Sequence, residues 1–179
     1  MRCLLRVQAP DYAEPLLGWR VWRVARQGRE LRLVSALHDE MWAPHDELDA
    51  SCHRQDDPLR ARGEPPPPLH SAPARGCGCG IHATRAPAEA ARYLLGRDDA
   101  PVVHRVIGQV ALWGTVVEGS AGWRAQRGYP ARLWIPIRRA DSQPVAAEEV
   151  AAALVSYGVP VELLREHRPS DVGLALAQS

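Results

Sequence analysis

Three of the four cysteines and three of the seven histidines fall between residues 52 and 82, where hydrophobic periodicity is almost absent. This stretch holds Cys52, His53, the run Pro65-Pro66-Pro67-Pro68, His70 and then Cys77-Gly78-Cys79-Gly80-Ile81-His82-Ala83. A proline- and glycine-rich segment buries too little apolar surface to offset the entropy lost on ordering it. Some other agent must fix it, and clustered thiols and imidazoles point to a metal ion.

Cys52, His70, Cys77 and Cys79 supply four ligands with spacings C-x17-H-x6-C-x-C. Three thiolates and one imidazole suit zinc in a closed structural site. An iron–sulfur cluster accepts the same residue types, although no standard cluster spacing is present. His53 and His82 compete with His70 for the nitrogen position. Gly78 and Gly80 would let the backbone turn closely around an ion. Three thiolates around a divalent cation leave a net charge of −1, and Arg75 is near enough in sequence to offset it. The competing reading, cysteines as small core residues, fits Cys3 well and the glycine-flanked pair poorly.

A chain of 179 residues can build one domain with a substantial core. Residues 18–164 are expected to form that domain, with 53–76 as a Pro-rich insert and 1–17 and 165–179 as flexible termini. The tetraproline run reads as a stiff, extended spacer, with a proline-recognition ligand as the alternative. No signal-peptide core or membrane-length apolar run occurs, so a cytoplasmic, reduced protein without membrane contact is expected. All 22 basic residues are arginine, which reads as coding bias, and the net charge of +1 gives no general pull towards polyanions.

The alternation in Trp19–Val24 and Leu31–Ser35 around Gly28-Arg29 predicts a hairpin, with Trp19 and Trp22 on opposite faces. Val102–Val117 carries the strongest apolar strand signal, and the return strand begins near Trp123. Helices are expected over 87–95, with Thr84 as a cap and Gly96 as the stop, and over 146–157 before Gly158. Val159–Leu164 reads as a last short strand. The fold class is therefore α+β: a curved antiparallel sheet or partly open barrel, two or three helices, and a metal-stabilised loop.

A second informative stretch runs from Val110 to Pro130. Between Glu118 and Arg139 lie five arginines (124, 127, 132, 138 and 139) and one acid, a local excess of +4. Interleaved aromatics give a candidate ligand surface of His82, Trp113, Glu118, Trp123, Arg124 and Tyr129, suited to a planar or anionic group. Alternatively the aromatics fill a small core, and Arg124 pairs with Glu118 across the hairpin.

The two stretches together resemble a poorly characterised family of small, largely actinobacterial proteins. Its members carry C-x-C-G-I-[aromatic or His]-A, then V-x-L-W-G-x-V-x-E-x-x-x-G-[Trp/Tyr]-R-A, then Tyr-Pro. The matching residues are Cys77–Ala83, Val110–Glu118, Gly122–Ala125 and Tyr129-Pro130, with Cys52 and His70 upstream. The likeness covers residues 18–137, and the Pro-rich insert before His70 departs from it. It implies one structural unit and names no activity.

Three functions follow. The favoured one is a non-enzymatic zinc module that binds a small-molecule or protein ligand on the aromatic and arginine surface. A hydrolytic enzyme would use a Cys77 or Cys79 nucleophile with His70 or His82, or a metal-bound water with Glu118 as base. A nucleic-acid module would use the Trp/Arg face, against a near-zero net charge. No serine-hydrolase elbow, zincin, P-loop or dinucleotide motif is present.

Overall fold

A computed structural model describes residues 14–52, 70–96, 102–137, 145–166 and 168–178. Strands β1 (Leu16–Gln27) and β2 (Glu30–Ser35) form the expected hairpin. Gln27 pairs with Glu30, so the loop has two residues, and Gly28 takes the positive φ of 60° that such a turn favours. Two short strands follow, β3 (Met41–Trp42) on β2 and β4 (Leu48–Asp49). Next comes β5 (Ile81–Thr84), then the long strands β6 (Val102–Glu118) and β7 (Gly122–Pro136).

β6 pairs antiparallel with both β1 and β7, which joins the two apolar blocks of the sequence in one sheet. The other edge of β7 is shared end to end by β5, by β4 and by β8 (Val161–Leu164). β8 runs parallel to β7, and the remaining pairings are antiparallel. Register shifts at Gln109/Val110 and Trp113/Val116 curve the sheet without closing it into a barrel.

Both faces of the central strands are buried, which is why β6 reads as a near-continuous apolar run. One face carries Trp22, Leu33, Val106, Val110, Leu133 and Ile135. It is covered by helix α2 (Ala147–Leu154) through Val150 and Leu154, and by Tyr157 in the 3₁₀ turn beyond. The other face carries Val21, Ile107 and Trp134 beneath helix α1 (Pro87–Ala91). Trp19 stacks on Trp134 with ring centroids 5.3 Å apart, while Trp22 meets Trp42 edge-on in the opposite core. The two tryptophans thus take the opposite faces that their spacing predicts.

Three expectations are corrected. Helix α3 (Pro169–Ala177) occupies what reads as a loose tail, burying Val172 and Leu176 beside α1. Gly173 lets the backbones meet, since a Cβ there would lie 2.7 Å from Ala88 Cα. Two anchors at i and i+4 are too thin a stripe to stand out in sequence. The first strand begins at Leu16, inside the stretch read as a flexible N-terminal arm. Thr84 does not cap α1: it lies in β5 and donates its hydroxyl to the Ala86 carbonyl at 2.9 Å, and Ala86 holds the cap position. Residues 1–13 lie outside the described residues, as do His53 and the tetraproline run. Among the described residues no helix is long and apolar enough to cross a membrane.

Candidate metal centre and adjoining cavity

The cysteine loop is held at both ends by β7. Its C-terminal end runs into β5, where Ile81 to Thr84 pair in register with Ala125 to Gly122. Two glycines make room for that insertion: a Cβ on Gly122 would meet the Ala83 carbonyl at 2.0 Å, and one on Gly18 would meet Ala83 Cβ at 2.6 Å. Upstream, Leu48 and Asp49 pair with Gly128 and Arg127, and Ala50 N–H donates to the Gln126 carbonyl at 2.7 Å. Cys52 follows two residues later. One strand therefore fixes the separation of thiols distant in sequence.

Cys52, His70, Cys77 and Cys79 place their donor atoms within 4.8 Å of one another, close enough to bind a metal. Cys52 Sγ lies 3.7 Å from Cys77 Sγ, and Cys79 Sγ lies 3.4 Å from His70 Nε2. Cys52 and Cys77 are buried and Cys79 is partly so; all three are free thiols. Burial raises the Cys77 thiol, but hydrogen bonds from the Cys79 backbone N–H and from Cys52, Cys79 and His70 outweigh it and bring it to about 6. Cys79 moves the other way, raised by burial and by the neighbouring sulfurs. One thiol thus ionises first, and its charge holds the next proton on.

His82 is not a member of this set. Its Nε2 donates to the Gly78 carbonyl at 2.7 Å, which props the turn between Cys77 and Cys79. Burial pushes this imidazole below its usual range, and the charges of Arg20 and Arg124 add to the effect against the Gly78 bond. Arg124 donates Nη1 to the carbonyls of Cys77, Cys79 and Ala74, the last two at 2.7 and 3.3 Å. The cation set against the loop backbone is therefore Arg124, from a strand 45 residues on, where the sequence suggested Arg75. Of the two loop glycines, Gly80 is required: its φ is 119°, and a Cβ would lie 2.9 Å from Pro73 and 3.2 Å from Arg124. Gly78 has open space around it.

Beside the loop opens a cavity of about 390 Å³. Gly78, Cys79 and Gly80 form one wall, and His82, Trp123 and Arg124 line it as well. The other three residues of the expected surface lie elsewhere. Trp113 pairs with Arg127 away from the cavity. Tyr129 joins the core, donating to the Tyr157 carbonyl and accepting from His45 N–H. Glu118 bonds Arg85 at 2.6 Å, whereas the sequence suggested Arg124. The register explains this: Glu118 faces Trp123, so Arg124 lies on the opposite face of the strand.

Sequence reasoning missed Arg20, Glu40 and Trp19, all of which line the cavity. Arg20 had a signal: period two places it with Trp22 and Val24 on a core-facing side of β1. It donates to the His82 carbonyl at 2.7 Å and to Ser35 Oγ at 2.9 Å, and lies over the Trp42 ring. Burial pushes its guanidinium down to about 10, against the favourable field of Glu40. Arg85 sits 4.4 Å over the Trp123 ring, just outside the cavity lining.

Compared with known proteins, the chain matches no protein-family model, no curated protein and no solved structure.

Proposed function

We propose that the chain is a zinc-bearing binding module in which the metal braces one wall of a ligand cavity. The observation that carries this reading is the clustering of Cys52, His70, Cys77 and Cys79 immediately behind the Gly78–Gly80 wall. Zinc–sulfur bonds of about 2.3 Å give a tetrahedron whose sulfur–sulfur edge is about 3.8 Å, with a slightly shorter edge to nitrogen. The separations of 3.7 and 3.4 Å match such edges. A two-iron cluster would spread the same ligands over two metals, a poor fit to four donors in one compact shell. Four protein ligands leave no position for an activated water, so the centre is read as structural.

The enzyme alternative loses its base, because Glu118 is an exposed residue paired with Arg85 and lies outside the cavity. The nucleic-acid alternative loses most of its charge. Arg127 pairs with Glu47 and Asp49, Arg132 with Glu162, and Arg124 turns to the metal loop. The likeness to the actinobacterial family is consistent with one unit spanning both motifs, and it too remains part of this proposal. Elemental analysis of protein purified without a metal-affinity tag should give about one zinc per chain. A metal-free preparation whose residues 70–80 are as protected from hydrogen exchange as the sheet, or visible iron–sulfur absorbance, would overturn the assignment.

A further inference from the structure

The cavity beside the metal loop has a defined hydrogen-bonding chemistry. His82 and Arg124 are register partners on β5 and β7, so their side chains leave the sheet side by side on one face. Each is fixed by the cysteine loop. Arg124 makes its three loop bonds through Nη1 alone, and its Nε and Nη2 take part in none of them. His82 donates Nε2–H to the Gly78 carbonyl, which makes Nδ1 the acceptor nitrogen of the neutral ring. The result is a fixed N–H donor next to a fixed nitrogen acceptor at the rim of an aromatic-walled space.

The charges of this space are already balanced. Arg20 faces Glu40, the one acid among the described lining residues, with Ser35 Oγ between them. Arg124 faces a cluster of three thiols that carries a net charge of −1 once it holds a divalent ion. An anionic ligand would therefore bring an uncompensated charge into a partly desolvated site. The walls are apolar and aromatic, with Trp19, Trp123, Tyr93 and Leu37 among them. The volume sits near the lower end of the range for small-molecule sites, about 300–1,000 Å³, enough for a single ring system with a short substituent.

We infer that this cavity binds a neutral planar heterocycle carrying a carbonyl acceptor beside an N–H donor, the lactam edge of a nucleobase-type ring. The ring carbonyl takes the free edge of Arg124, the ring N–H donates to His82 Nδ1, and Trp19, on the same face, supplies the aromatic wall. This rests on the reading of the cavity as the binding site, and it replaces the planar or anionic group suggested by the sequence with one neutral class.

The test titrates the metal-loaded full chain with four probes, followed by tryptophan fluorescence and calorimetry. Hypoxanthine carries the lactam edge, purine lacks it, inosine monophosphate adds a charged phosphoribosyl group, and benzoate is a planar anion. Hypoxanthine should bind, and purine should bind about tenfold or more weakly for the loss of two hydrogen bonds. Inosine monophosphate should bind more weakly than hypoxanthine, because its phosphate brings the uncompensated charge; tighter binding would overturn the neutral class. Arg124→Lys, which can still donate to the loop carbonyls, should weaken hypoxanthine about tenfold while purine affinity and metal content stay unchanged. Purine or benzoate binding as tightly as hypoxanthine would overturn the lactam inference and leave the cavity reading standing. Failure of all four probes to bind would overturn both.

Discussion

Arg124 connects the two halves of the site at the scale of a single residue. Its Nη1 holds the carbonyls on either side of Gly78, and removing it leaves those acceptors without their charged donor. Arg124→Ala should therefore weaken metal retention by about tenfold or more in a chelator competition, with Arg127→Ala as the silent control. Arg127 makes only exposed ion pairs, worth about 0–1 kcal/mol. Cys77 makes a second prediction, for the metal-free protein. Its folded value of about 6 lies below the ordinary thiol value of 9.0, so the folded state sheds this proton first. The stabilisation is fully present above about 9, falls as the pH drops towards 6, and is absent below that. Denaturant midpoints of the metal-free protein should rise with pH across that window. In Cys77→Ser the rise should disappear.

At the scale of elements, the insertion of β5 between β1 and β7 determines whether the loop can close. Gly80→Ala forces a side chain onto a backbone at φ 119° and into Pro73 and Arg124. It should cost about 1–3 kcal/mol and lower metal affinity. Gly78→Ala enters open space and should be nearly neutral by thermal melting. Equal effects of the two substitutions would show that the loop adopts another path. Helix α3 makes its own prediction. Leu176 is buried against α1, so Leu176→Ala should destabilise by about 2–5 kcal/mol in urea, within the range for a buried leucine. An exposed, loose tail would show no effect.

For the whole molecule, two cores flank one sheet, and among the described residues of the 70–84 stretch only Ile81 and Ala83 of β5 belong to either. Chelation should therefore expose amides of residues 70–80 to hydrogen exchange while β1, β6 and β7 stay protected. Cooperative loss of all three strands at the same chelator concentration would show that the metal holds the entire fold together. Much of this architecture is legible in order along the chain: the 18–35 hairpin, the long β6–β7 hairpin, and α2 with its 3₁₀ extension, which stops at Gly158 in the left-handed conformation at φ 69°. Each is announced by local chemistry, whether a two-residue turn, a run of β-branched residues or a glycine stop.

The clustering of Cys52, His70, Cys77 and Cys79 was readable because cysteines in a loop that cannot bury itself have few other roles. The balance of charges was not readable, since a run of five arginines looks basic until the fold shows where the acids are. Glu47 and Asp49 reach Arg127 and Glu162 reaches Arg132 only because β4 and β8 add to the same edge of β7. The ligand surface divided for a similar reason. Period two separates Arg124 from Trp123 and Tyr129, but the sequence does not say which face meets the cysteine loop and which meets Tyr157. Composition and spacing determined which residue types would cluster and what ion they suit. The pairing of distant strands, set by close backbone approaches at Gly18, Gly80 and Gly122, decided which arginine turns to the loop and which cavity results.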